Sequence, residues 1–284
     1  MLNRYPIKTP NKDFIFSNIT YNTKGSRAKR VVIDKTGKKA FFKYQRADYI
    51  TSEACSEKMS YEIAKVLGYK CATIELAHDE NKNLGVLNYW FTDNMDNHTD
   101  IVSYFNTSET KRNEFYTISN IKRVLDEIDN TLFYDFIKIM VFDALVGEQD
   151  RHEENWGVLK QNDKYEISPL YDNGDDLLNK FKDQAYAEKY YNKQKDFNAY
   201  IRNSKTLIYK EDNKTKYKHF ELIEYLNDLY HDYVQTEINN LNKLKDEKIE
   251  EIVNKVPEDL LTEVHKEYII NYLKKRRDIL LNIK

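Results

Sequence analysis

Leu132, Phe133, Phe136, Ile137, Met140, Ala144 and Leu145 recur at helical spacing over a very broad apolar face, and the run stops at Gly147. A helix of this kind has to be covered from several sides, so it predicts the centre of a body around which other elements pack. Asp135, Lys138 and Asp143 interrupt the stretch, which keeps it short of the ~20 uninterrupted apolar residues of a membrane span. Ile118, Ile121, Leu125 and Ile128 mark one helix to cover it. Leu222, Leu226, Leu229 and Tyr233 mark another, and Val264, Tyr268, Tyr272 and Ile279 a third after Pro257.

The amino-terminal part follows a different period. Asp13 to Ser17, Lys29 to Asp34 and Ala40 to Tyr44 are short apolar or alternating runs, with Lys35-Thr36-Gly37-Lys38 as a hairpin turn between the last two. A helix is expected from Ala54 to Leu67, closed by Gly68, and strands return at Ala72 to Ala77 and Leu84 to Phe91. The expectation is an α+β fold of two lobes. Residues 1–92 form a small antiparallel sheet plus helix, Asp93 to Asp100 connects, and 93–284 is largely helical. The charge-rich stretch from Lys180 to Lys218 has the weakest periodicity and reads as a surface excursion with a solvated, charged face.

A chain of 284 residues suffices for one catalytic unit, and its formal net charge of −2 leaves no basic footprint for direct nucleic-acid binding. Cys55 and Cys71 have no second Cys or His at metal-ligand spacing and read as buried thiols. Met1 to Pro10 lacks the apolar core of a secretory signal, so a cytoplasmic location is expected, although export without a cleaved signal leaves no such mark.

Chemistry concentrates directly after the central helix, in Gly147-Glu148-Gln149-Asp150-Arg151-His152-Glu153-Glu154-Asn155-Trp156-Gly157. Phosphoryl transfer needs a carboxylate near the attacking hydroxyl and further oxygen ligands for Mg²⁺, with little other covalent chemistry from the protein. Asp150 and Asn155 have the Asp-x-x-x-x-Asn spacing of a kinase catalytic loop, and Asp172 follows in Tyr171-Asp172-Asn173-Gly174, where kinases carry a metal-binding aspartate. Read singly, Asp150 could cap a helix or pair with Arg151, and Asp172 could be a turn residue. Their order and spacing favour the site.

These motifs resemble the kinase domain of the HipA-type kinases, and the likeness extends over nearly the whole chain. The run Glu263-Val264-His265-Lys266-Glu267-Tyr268 is similar to the end of short, stand-alone members. The resemblance implies a two-lobed protein-kinase-like fold with ATP bound between the lobes and Mg²⁺ as its metal. It implies that Asp150 is the catalytic aspartate, that Asn155 and Asp172 are Mg²⁺ ligands, and that Lys43 is the ATP-binding lysine held by Glu57, with Glu53 as the competing partner. Gly25 and Ser26 fall in the phosphate-covering loop, and Ser26 is a candidate for autophosphorylation. The implied partner is a protein substrate carrying Ser or Thr, with a cognate antitoxin protein for toxin-like members. One departure stands out: the family usually has Asn where this chain has Glu148, an added charge that would alter nucleotide or substrate binding if it pointed inward.

His152 is expected to order the loop, Trp156 to pack beneath it, and the end of Leu87-Asn88-Tyr89-Trp90-Phe91 to form the hinge against which adenine lies. Two alternatives stay open on the residues alone: a phosphotransferase for a small molecule or lipid head group, and a partner-binding module with minor kinase activity.

Overall fold

The computed structural model describes residues 3–18, 29–45, 52–105, 107, 111–179 and 193–284. Gly25 and Ser26 lie outside the described residues, as do the first residues of the 180–218 stretch.

The amino-terminal strands form a six-stranded sheet from β1 (Ile7–Lys8), β2 (Phe14–Phe16), β3 (Lys29–Asp34), β4 (Lys39–Tyr44), β5 (Ile74–His78) and β6 (Leu84–Tyr89), in the order β1-β5-β6-β4-β3-β2. It is antiparallel as expected except at one edge, where β1 pairs in parallel with β5. The β3–β4 turn is tied by Asp34, whose Oδ1 accepts from the Thr36 and Lys38 main-chain N–H groups at 2.8 and 2.9 Å. Alternation then sorts the β4 side chains. Ala40 and Phe42 join Phe14, Val32, Ala77 and Leu87 in a small core on one face, which turns Lys43 to the other.

That other face is covered by α1 (Glu53–Leu67), which packs on β5 and β6. Gly68 ends the helix in the left-handed region, and its N–H and that of Tyr69 take up the carbonyls of Lys65 and Ala64.

The expected central helix is α4 (Leu132–Val146), after α2 (Arg112–Phe115) and α3 (Ile118–Ile128). It is buried nearly all round, against α3, α6 (His219–Leu229), α7 (His231–Asn240) and α9 (Glu263–Leu281). Each fully buried Leu, Ile or Phe contributes roughly 1.5–3 kcal/mol, so this helix anchors whatever is attached to its end. The stripe from Leu222 to Tyr233, expected as one helix, is divided between α6 and α7 at Tyr230. A further helix, α8 (Asp246–Asn254), not singled out above although Ile249, Ile252 and Val253 fall on one buried face, packs against α1 and α9.

Two other segments depart from expectation. The connector holds β7 (His98–Asp100), which pairs with β8 (Gly157–Gln161), itself paired with β9 (Lys164–Ile167). Residues 194–218 are not a solvated excursion. They form α5 (Gln194–Asn203) and a hairpin of β10 (Lys205–Tyr209) and β11 (Lys216–Lys218), burying Phe197, Ile201, Ile208 and Tyr217 among their charges. A half-exposed helix needs only one thin apolar stripe, and the many Lys and Asp residues around these four obscure it.

Gly147, just past α4, sits at φ +79°, and a Cβ there would lie 1.9 Å from the Tyr272 hydroxyl oxygen. Gly147→Ala therefore combines a strained backbone with an overlap against a buried helix. A loss of about 1–3 kcal/mol is expected in urea unfolding, and an unchanged midpoint would show that α9 gives way freely.

Candidate active site

Lys43 is the joint of the site. It projects from β4 toward α1, is 4% exposed, and its Nζ donates to Glu57 Oε1 at 2.6 Å, with Glu57 itself 2% exposed. The same Nζ donates to Asp172 Oδ1. A solvent-facing lysine is thus excluded, and of the two candidate glutamates it is Glu57 that holds it. Glu53 is also buried, one turn earlier on α1, and both glutamates crowd Gly174, where a Cβ would lie 3.0 Å from Glu53 Cγ and 3.2 Å from Glu57 Oε1. Glycine there lets the loop carrying Asp172 close against α1.

Asp172 has φ +57°, a left-handed backbone that Asp tolerates better than most residues. Strain of this sort is held only where surrounding contacts impose it. Here the contacts come from Arg151, whose Nη1 donates to the Tyr171 carbonyl at 2.9 Å and to the Asn155 carbonyl at 2.9 Å. Its remaining donors engage Asp143 of α4 in a two-pronged pair, Nε to Oδ2 at 3.1 Å and Nη2 to Oδ1 at 3.0 Å. Arg151 pairs with Asp143, not with Asp150. One buried guanidinium therefore ties the loop of Asp150 and Asn155 and the loop of Asp172 to the central helix. Burial pushes the Asp143 carboxyl above its ordinary range, and the charge of Arg151 opposes that shift.

Within the loop, the Asp150 carbonyl accepts from His152 N–H at 2.7 Å and from Asn155 Nδ2 at 2.9 Å. His152 does order the loop: its Nδ1 accepts from the Glu154 N–H at 3.2 Å and its carbonyl from the Asn155 N–H. Trp156 packs beneath as expected, 4.7 Å from Phe136 between ring centroids, and donates from Nε1 to the Tyr116 hydroxyl, which donates to the Arg151 carbonyl at 3.0 Å. At the end of the β6 run, Phe91 stacks on Tyr171 at 5.8 Å, and the Tyr171 hydroxyl donates to Asp100.

Glu148 does not point into open space. It is buried, and its Oε1 accepts the Asp150 main-chain N–H at 2.6 Å.

With Nδ2 of Asn155 committed to the Asp150 carbonyl, its Oδ1 is the atom suited to a cation. Together with the Asp172 carboxylate it makes a hard-oxygen donor set. Mg²⁺ is ordinarily held by one or two such groups plus substrate phosphates, so these residues fit it.

Three features escaped the sequence reading. Asp143 registered there only as a charge that interrupts an apolar run, yet a carboxylate on the buried face of a central helix signals a buried cationic partner. Arg151, next to Asp150 in sequence, conceals its role by that adjacency. Tyr171 gave no signal, because its part is played mainly by its carbonyl.

The fold is of the protein-kinase-like class, and the comparisons with known proteins make the chain an enzyme of that class. A sequence model of the family described as the HipA-like C-terminal domain matches residues 21–263, and the chain belongs to that family. It is 28% identical over 243 residues to the serine/threonine-protein kinase CtkA of Helicobacter pylori, covering 82% of this chain and 72% of that protein. The crystal structure of the Helicobacter pylori proinflammatory kinase CtkA superposes with a TM-score of 0.82 at 20% identity, covering 97% of this chain and 98% of the other. HipA of Shewanella oneidensis, solved with HipB and operator DNA, superposes with a TM-score of 0.55 at 12% identity, over 99% of this chain and 68% of that one. No helix among the described residues is long and apolar enough to cross a membrane.

Proposed function

We propose that this protein is a serine/threonine kinase that transfers the γ-phosphoryl group of ATP to a protein hydroxyl in a Mg²⁺-dependent reaction. The observation that carries the reading is the junction of the buried Lys43 and Glu57 with the partly exposed Asp172, drawn from a strand, a helix and a distant loop. An ion pair buried as Lys43 and Glu57 are, with a further carboxylate brought against it, is costly to build for stability alone. In the proposed reaction Lys43, held by Glu57, binds ATP phosphates. Asn155 and Asp172 hold Mg²⁺, which when bound supplies positive charge to the phosphates. Asp150 orients the acceptor hydroxyl and takes its proton as the oxygen bonds to the γ-phosphorus and the bond to ADP breaks. Gly25 and Ser26 are proposed to cover the phosphates.

The CtkA likeness supports a protein acceptor. HipB accompanies the Shewanella protein, and a partner of that kind for this chain is expected to co-purify with it from its native cells.

Asp172→Asn is expected to weaken Mg-ATP binding roughly tenfold or more and to abolish transfer with it, read by calorimetry and by labelled phosphate. If removal of Mg²⁺ and Asp172→Asn both left ATP affinity unchanged, the metal assignment would be wrong. Labelled phosphate on protein, rather than on a small molecule or lipid, separates this function from the other phosphotransferase reading.

A further inference from the structure

The loop that carries Asp150 is held from below by a residue to which the proposed reaction gives no role. Glu148 follows Gly147 at the end of α4, its side chain is buried, and its Oε1 accepts the Asp150 main-chain N–H at 2.6 Å. Its own carbonyl is fixed as well, since His219 Nε2 of α6 donates to it at 2.6 Å, and Ser204 meets the other ring nitrogen at 2.9 Å. Ser204 in turn accepts from Arg276 Nη1 of α9. Glu148 is thus anchored at both ends, to the helical body through its main chain and to Asp150 through its side chain.

We propose, resting on the kinase reading, that Glu148 is a positioning residue, whose side chain fixes the Asp150 main chain and so sets where the Asp150 carboxylate meets the acceptor hydroxyl.

The surroundings determine the form in which it can do so. Around it stand Arg151 of its own loop, Asp143 of α4, Asp175 and Asp176 of the segment after Asp172, and Tyr272 of α9. One positive group, Arg151, is already engaged by Asp143. His219 is held neutral by burial, its pKa lowered to about 3. Oε2 of Glu148 and Oδ1 of Asp176 are buried with no hydrogen-bond partner among the described residues. Burial, with Asp143 and Asp175 adding to it against Arg151, pushes the Glu148 carboxyl up to about 8. The protonated acid can hold the Asp150 N–H without adding a charge to this cluster. Ionisation above that pH keeps the bond from the Asp150 N–H, which favours the charged form, but sets a buried negative charge against Asp143 and Asp175, and that repulsion is what would displace the loop.

The sign follows by linkage. A carboxyl whose pKa is higher folded than unfolded favours the folded state fully below its unfolded value, and this advantage is lost as pH rises through the folded value. Wild-type stability should therefore fall between roughly pH 4.5 and 8, and more steeply than that of E148Q.

The test compares wild type, E148Q and E148A as full chains. The wild-type kcat is expected to decline on the alkaline side through about pH 8, and E148Q, which keeps an acceptor but cannot ionise, is expected to lack that limb. E148A loses the acceptor and should lower kcat roughly ten- to a hundredfold at every pH, with KM for ATP little changed. Melting temperatures of the same proteins from pH 5 to 9 read the titration without reference to catalysis. An active wild type whose pH profile matches that of E148Q, or an E148A protein with wild-type kcat, would overturn the proposal alone. A wild type that transfers no phosphate at any pH would overturn the kinase reading and this proposal with it.

Discussion

Asp150→Asn is expected to lower the rate of phosphoryl transfer roughly a hundredfold or more while leaving Mg-ATP affinity nearly intact. The change removes a carboxylate that can take a proton but keeps the side-chain volume, and a lost positioned base costs about two orders of magnitude or more. The loop itself should survive, because it is built from main-chain groups: the Asp150 N–H to Glu148, and the Asp150 carbonyl to His152 and Asn155. A contrary forecast comes from treating Asp150 as a capping or turn residue, which would cost on the order of 1 kcal/mol of stability and leave activity in proportion to the folded fraction. Nucleotide titration, thermal melts and labelled-phosphate transfer on the one variant decide between them. A folded Asp150→Asn protein that transfers phosphate at near the wild-type rate would require the catalytic assignment to be abandoned.

The second large effect concerns stability. Arg151→Met should destabilise the protein by about 3–5 kcal/mol, because Asp143 would be left as a buried carboxylate without its counter-ion. Both side chains are almost wholly buried, 4% and 3% exposed, so solvent screening gives little relief. The variant also frees the carbonyls of Asn155 and Tyr171, and so uncouples the two loops that carry Asn155 and Asp172. The double change Asp143→Leu with Arg151→Met removes both charges and should recover much of the lost stability without recovering transfer. Urea unfolding of the two singles and the double measures the coupling. If Arg151→Met alone unfolds at the wild-type urea concentration, the pair does not hold the loops to α4.

Family resemblance and local spacing made much of this protein legible before any coordinates. The broad face of residues 132–146 announced a central helix, and its stop at Gly147 was marked because only glycine sits easily at a positive φ against Tyr272. The strand period of Phe41-Phe42-Lys43 and the helix period around Glu57 were legible too, but alternation alone left Lys43 free to face solvent, and it was the family resemblance that singled out Lys43 and Glu57, which the structure joins. These features are local: a period of two or of 3.6 residues is written in the order of side chains. The charged stretch at 194–218 was misread for the same reason, since a thin stripe of Phe197 and Ile201 is weak until a second surface covers it.

What the sequence alone determined was the order of elements and the kinds of group available at their ends: a lysine on a strand, a glutamate on a helix, and an aspartate and an asparagine in a loop. Tertiary structure decided which of them meet. Arg151 could have paired with its neighbour Asp150, but closure of the loop onto α4 gave it to Asp143, eight positions earlier. Glu148 could have pointed toward nucleotide or substrate, but anchoring of its carbonyl by His219 accompanies a side chain turned under Asp150. Pairings of this kind depend on burial, where an unsatisfied charge or polar group is penalised far more than in water, and burial belongs to the packed body and not to any stretch of the chain.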